Sequence, residues 1–185
     1  RMDSDPNIKT AVIDPLGTQG WLRPNHLHPP FDNPKARQAL VHAVNQENYL
    51  QAIIGNPKLY SACAAYFICG TPNETAVATE ALKNVNLDKA KQLLKEAGYK
   101  GEKIILMQPT DIPVLNGASL VTAQMLRDIG MKVEVQAMDW STLTSRRAEK
   151  KSPADGGWNI FHTYSTGADV TSPISNIGIS GGGVE

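Results

Sequence analysis

Few side chains in this sequence have the types and spacing that chemistry requires. In "GGWNIFHTYSTGADVTSP" (residues 156–173) an apolar run breaks into glycine, a lone carboxylate and a proline, which puts Asp169 in a turn just past a predicted strand. His26 and His28 in "NHLHPP" alternate as metal ligands on a strand do, but no third Cys, His or carboxylate lies close enough in sequence to complete a site. His42 and His162 fall inside a predicted helix and a predicted strand, where packing or hydrogen bonding is the simpler role. For nucleophilic catalysis a Gly-x-Ser-x-Gly turn between strand and helix is wanted, and "GISGGG" lacks that setting. The glycines also miss the dinucleotide and P-loop spacings. Asp111, Asp139 and Asp155 carry no pairing signal in a chain with 18 acidic residues. Arg146 and Arg147, followed by Glu149, Lys150 and Lys151, read either as a solvated helix face or as a source of one inward arginine whose fork pairs with an anionic ligand group. Cys63 and Cys69 flank "AAYFI" and fit either a small disulfide loop or two free buried thiols. No catalytic residue, metal or cofactor is called for by these patterns.

The elements that must position these residues are legible from punctuation and period. Residues 8–13 read as a strand, followed by a Gly-, Pro-, Asn- and His-rich stretch that reads as a crossing segment rather than core. Asn33 is placed to cap a helix with Pro34 at its first position and Ala36, Ala39, Leu40, Ala43 and Val44 on one face. Asn45 caps a second short helix ending at Gly55, and Asn86 caps "LDKAKQLLKEAG", whose stripe is Leu87, Ala90, Leu94 and Ala97 with Gly98 as its stop. "EKIILMQP" reads as a buried strand and "NGASLVTAQMLRDIG" as a helix. "MKVEVQAMDW" alternates as a strand does, with Val133, Val135 and Ala137 against polar neighbours. Together they form a βαβ unit with parallel pairing. A further helix runs toward Pro153, with Asp139 as its cap, and "WNIFHTY" is the last strand.

With 185 residues the chain fits one ordinary domain or a piece of a larger protein. Its 18 basic and 18 acidic side chains cancel, which disfavours nucleic acid and anionic lipid as partners. No run approaches the length of a membrane span, and "RMDSDPNIKT" lacks the apolar core of a signal peptide. The opening strand without an anchor and the three terminal glycines give both ends the look of a cut chain.

Four blocks now carry a resemblance: "PPFDNPKARQALVHAVNQENYL", "LDKAKQLLKEAGYKG", "TAQMLRDIGMKVEVQAMDWSTLTSRRAEK" and "GGWNIFHTYSTGADVTSP". In this order, from residue 29 to 173, they resemble the second lobe of the family 5 extracellular solute-binding proteins, the dipeptide and oligopeptide receptors of ABC importers. The resemblance implies an α/β lobe of type II periplasmic-binding-protein architecture, with a mixed, mostly parallel sheet flanked by helices. It implies residues 1–28 as a hinge-proximal crossing segment, 29–173 as the lobe, and 174–185 as a glycine-rich stub returning toward a first lobe.

The function so implied is non-catalytic capture of a peptide or related amine-bearing solute and delivery to an inner-membrane permease, in the periplasm or outside the cell and with a membrane anchor as an option. Peptide-binding members share a Gly-Trp-x-(Ala/Gly)-Asp motif whose aspartate pairs with the ligand amine, and Asp169 falls at that aspartate. Thr166 stands where those members have tryptophan. Arg147 falls where some oligopeptide binders hold an arginine for the ligand carboxylate, with Arg146 as its substitute. Export also implies a Cys63–Cys69 disulfide. The same family carries nickel chelates, glutathione, opines and sugars, so the fold leaves the solute open. A hydrolase using Asp169 and His162, or a metal carrier using His26 and His28, are the readings from other classes.

Overall fold

The computed structural model describes residues 5–77, 79–176 and 178. A four-stranded mixed sheet forms its centre: β1 (Thr18–Pro24), β2 (Lys103–Pro109), β3 (Lys132–Met138) and β4 (Ile160–Thr166), in the order β1-β4-β2-β3. β2 lies parallel to β3 over its whole length and parallel to β4 at Leu106 and Ile160, whereas β1 runs antiparallel to β4 in full seven-residue register. Helix α4 (Pro113–Asp128) connects β2 to β3, which is the βαβ unit the periodicity predicts.

The helices begin where short-range chemistry starts them. Asn33 accepts from Lys35 N ahead of α1 (Pro34–Ala43), Asn45 from Asn48 N ahead of α2 (Gln46–Ile53), and Asn86 from Lys89 N ahead of α3 (Leu87–Glu96). Gly98, with φ 82°, stops α3 in a left-handed turn that returns Tyr99 N to Leu94 O. α4 starts a turn earlier than its apolar pattern implies, because Pro113 suits the first helical position. α5 (Trp140–Arg146) is shorter than predicted and ends well before Pro153. Its chain leaves the helix at Arg147, whose carbonyl accepts from Trp158 Nε1 at 3.1 Å.

The main core packs α1, α3 and α4 on one face of the sheet, around Leu40, Leu94, Ile104, Leu106, Leu126 and Ile160. The other face carries a smaller cluster in which α5 lays Leu143 over Met107, Trp158 and Phe161. One expectation is corrected at the start of the chain. Residues 8–13 are irregular and mostly exposed, and the strand is residues 18–24, within the stretch read as a crossing segment. Glycine and proline weaken the strand signal of "TQGWLRP". Pairing with β4 supplies the hydrogen bonds that local propensity does not, and Pro24 is tolerated at the end of an edge strand.

Candidate functional site

Parallel strands bring their carboxyl ends to one edge, and ligand sites of open α/β sheets form there. Two turns are tied together at this edge. Asp111, after β2, accepts from Trp140 N at 2.9 Å, and Thr110 N donates to Met138 O at 2.9 Å. Asp139 caps α5, accepting from Thr142 N and from the hydroxyls of Ser141 and Thr142. Those donors hold its carboxyl well below the usual carboxylate range, so it is a cap with its capacity committed.

β4 reaches farther out. Since Leu106 is level with Ile160, β2 ends level with Thr163, and Tyr164, Ser165 and Thr166 run on beyond it with Gly20, Gln19 and Thr18 alongside. Asp169 sits in the short 3-10 turn Ala168–Val170 that follows, exposed to solvent. Its Oδ2 accepts from Thr166 Oγ1 at 2.7 Å and lies 3.4 Å from Ser165 Oγ. Gly167 anchors the turn by donating its N–H to Gly17 O at 2.7 Å, and an added Cβ there would come within 2.6 Å of Leu16. Only glycine permits that approach. Thr166 is therefore a partner of Asp169 rather than a stacking wall. Ser165 was not singled out by sequence reasoning, although hydroxyls three and four residues before an aspartate are a recognisable local hydrogen-bonding pattern.

Cys63 and Cys69 are joined by a disulfide, and the loop it closes meets β1 through Gln19. Four successive carbonyls of the loop accept from four parts of the chain: Cys63 from Gln46 Nε2, Ala64 from Thr79 Oγ1, Ala65 from Gln19 Nε2 and Tyr66 from Asn176 Nδ2. Asn73 adds a bond to Thr171 O, two residues past Asp169. The loop thus braces both the strand beside Asp169 and the segment behind it.

Beneath this edge lies a buried polar chain that the sequence did not reveal as such. His162 Nε2 is 2.6 Å from Thr122 Oγ1, which is 2.7 Å from Tyr49 Oη. Burial pushes His162 down to about 4, against a hydrogen bond with the Trp21 backbone, and pushes the Tyr49 hydroxyl up to about 12. The imidazole is neutral and sealed from solvent, which makes it a packing residue and not an acid or base facing a ligand. At the opposite end of β4, Asn159 joins three segments: its Oδ1 accepts from Ile105 N, its Nδ2 donates to Pro29 O and its carbonyl accepts from Asn25 N.

The arginines are at that opposite end too. Arg146 donates Nε to Gly156 O and Nη2 to Gly157 O, at 3.0 and 2.8 Å, and so closes the loop before β4. Its fork is committed to backbone. Arg147 is exposed, with its carbonyl bound to Trp158, two residues before β4. Asp169 lies three residues after β4, whose seven residues extend about 20 Å. The structure therefore does not bring Arg147 and Asp169 together. His28 Nε2 hydrogen-bonds Lys150 O, and among the described residues no group of three or more His, Cys, Asp or Glu is placed to hold a metal ion.

The chain matches the family described as bacterial extracellular solute-binding proteins, family 5 Middle, over residues 1–181. It is 41% identical over 184 residues to a probable peptide ABC transporter periplasmic-binding protein of Sinorhizobium fredii, covering 94% of this chain and 34% of that protein. It is 29% identical over 165 residues to the glutathione-binding protein GsiB of Escherichia coli, covering 88% of this chain and 30% of that one. Among solved structures it resembles an ABC transporter substrate-binding protein, CtaP, of Listeria monocytogenes, with TM-score 0.72 and 21% identity over 87% of this chain and 32% of that one. It also resembles the periplasmic binding protein DppA of Helicobacter pylori in complex with a peptide, with TM-score 0.69 and 22% identity over 95% of this chain and 32% of that one. At such identities the likeness shows the shared fold, a mixed sheet flanked by helices. The chain spans about a third of the length of these relatives. The profile match along nearly its whole length makes this chain a member of the bacterial extracellular solute-binding proteins, family 5.

Proposed function

We propose that this chain forms one wall of the cleft of an ABC-importer solute-binding protein, capturing peptides or related amine-bearing solutes without chemical change. Asp169 is the anchor for the solute amine. The observation that carries this reading is an exposed carboxylate at the outer end of β4, on a turn that Gly167 and Leu16 lock in place, with both of its hydrogen bonds on one oxygen. A carboxylate beside an ammonium offsets the desolvation that each charge would suffer when a cleft closes over them. The peptide-named relative supports the substrate class, and the glutathione-named relatives are compatible with it, since glutathione also presents an amine.

On this reading the hinge adjoins the β1 and β4 ends, residues 29–173 form most of the lobe together with β1, and the protein works outside the cytoplasm beside a permease. Arg147 could meet the carboxyl end only of a solute long enough to run the length of β4. Native mass spectrometry of the full-length protein as purified, with and without Asp169→Ala, tests the anchor. A retained mass fitting short peptides that disappears in the variant supports the reading. A retained solute without an amine, or one that the variant keeps, overturns it.

A further inference from the structure

We propose that Ser165 and Thr166 turn Asp169 into a single-point anchor that accepts an ammonium group and discriminates against a guanidinium; this rests on the amine-anchor reading above. Both hydroxyls address the same carboxylate oxygen, Thr166 Oγ1 at 2.7 Å and Ser165 Oγ at 3.4 Å from Oδ2. A carboxylate oxygen offers about two lone-pair directions, so the protein itself occupies Oδ2. Among the described residues Oδ1 has no hydrogen-bond partner, and the open half of the anchor is that one atom.

The two cationic groups differ in what they ask of a carboxylate. A guanidinium donates two parallel N–H bonds from a rigid fork and engages both oxygens side by side. An ammonium is a compact point charge with rotatable donors, and one free oxygen serves it. The backbone of the turn is pinned through Gly167 N to Gly17 O and packed on Leu16, and swinging the carboxylate to expose both oxygens would give up its 2.7 Å bond from Thr166 Oγ1. Ser165 and Thr166 continue β4 in register with Gln19 and Thr18, so the two donors sit on a paired strand and not on a free loop. Thr166 is thus a positioning residue whose hydroxyl sets which cation fits.

The test uses the full-length protein and three probes: trialanine, N-acetyl-trialanine, and N-amidino-trialanine, in which a guanidino group replaces the amine. Calorimetric Kd values are compared for the wild type, Thr166→Val and the Ser165→Ala/Thr166→Val double variant. Valine keeps the β-branched shape at an exposed strand position, and a second, milder variant, Thr166→Ser, restores the hydroxyl. Trialanine should bind the wild type at least about tenfold more tightly than the amidino probe, and Thr166→Val should close most of that gap by freeing Oδ2, with Thr166→Ser restoring it. Equal binding of the amine and amidino probes by the wild type, or a ratio unmoved by Thr166→Val, overturns this inference while the amine anchor stands. Acetylated and free peptide binding equally, or no probe binding at all, overturns the anchor reading and this inference with it.

Discussion

Asp169 does its proposed work through one oxygen, and the residues that prepare it are small: two hydroxyls, and a glycine that lets Leu16 come close. Other polar side chains serve the fold. Asn159 is almost fully buried and links β2, Pro29 and Asn25, so Asn159→Ala would strand the Ile105 N–H in the interior and release the partly buried bond to the Pro29 carbonyl. Urea unfolding of that variant should show a loss of about 2–3 kcal/mol. His162 carries a pH signature. The unfolded chain takes up the imidazole proton near the ordinary value of 6.5, while burial holds the folded ring down to about 4. Unfolding therefore binds a proton between these limits, and stability falls as pH drops from 6.5 to 4, by at most about 3 kcal/mol from this group. Above 6.5 this contribution is constant. Glu96, Glu134 and Asp139 have lowered values and act at more acid pH, since their stabilising ionisation is lost only as pH falls through and below the ordinary carboxylate range. Urea midpoints of the wild type and His162→Gln, measured from pH 7 to 4, should converge as pH falls; parallel curves would contradict the buried neutral ring.

Among the elements, the disulfide loop has more to hold than its length suggests. Four of its carbonyls receive side chains from α2, β1, the chain just before the 3-10 turn Glu80–Lys83, and the segment after Asp169. Closing so short a loop restricts the unfolded chain by about 2 kcal/mol. The Cys63→Ser/Cys69→Ser variant should lose about that much stability, with faster amide exchange concentrated in β1 and residues 171–176. Exchange that rises only inside the loop would show that the clasp does not brace the site. α5 shows the converse case of an element shortened by its surroundings. Arg146 turns back onto Gly156 and Gly157, where an added Cβ on Gly157 would approach Lys151 O to 2.0 Å, and the tight loop so formed takes the place of further helix.

At the scale of the molecule, the sheet sets two ends apart. Asp169 stands at the outer end of the β1–β4 ribbon, while Arg147 and the Asn159 junction stand at the other. Val12, Ile13 and Ile174, all at least 70% exposed, flank the Asp169 end in sequence and suit a surface that meets further protein. On the proposed reading this chain supplies one wall of the cleft. As an isolated 185-residue chain it should then unfold cooperatively yet bind trialanine far more weakly than the full-length protein. Equal affinity in calorimetry would mean that a single wall suffices. What the sequence determined by itself was whatever depends on near neighbours: the caps Asn33, Asn45, Asn86 and Asp139, each bonding a backbone N–H two or three residues on, and the βαβ period of residues 103–138. The turn past β4 that carries Asp169 was legible for the same reason. Tertiary structure alone decided that residues 18–24 and not 8–13 form the strand, that Arg146 clamps a loop, and that Arg147 lies far along β4 from Asp169. These outcomes depend on partners remote in sequence, as in the Asn25–Trp158 bond across 133 residues, and such partners meet only once the strand order β1-β4-β2-β3 is set.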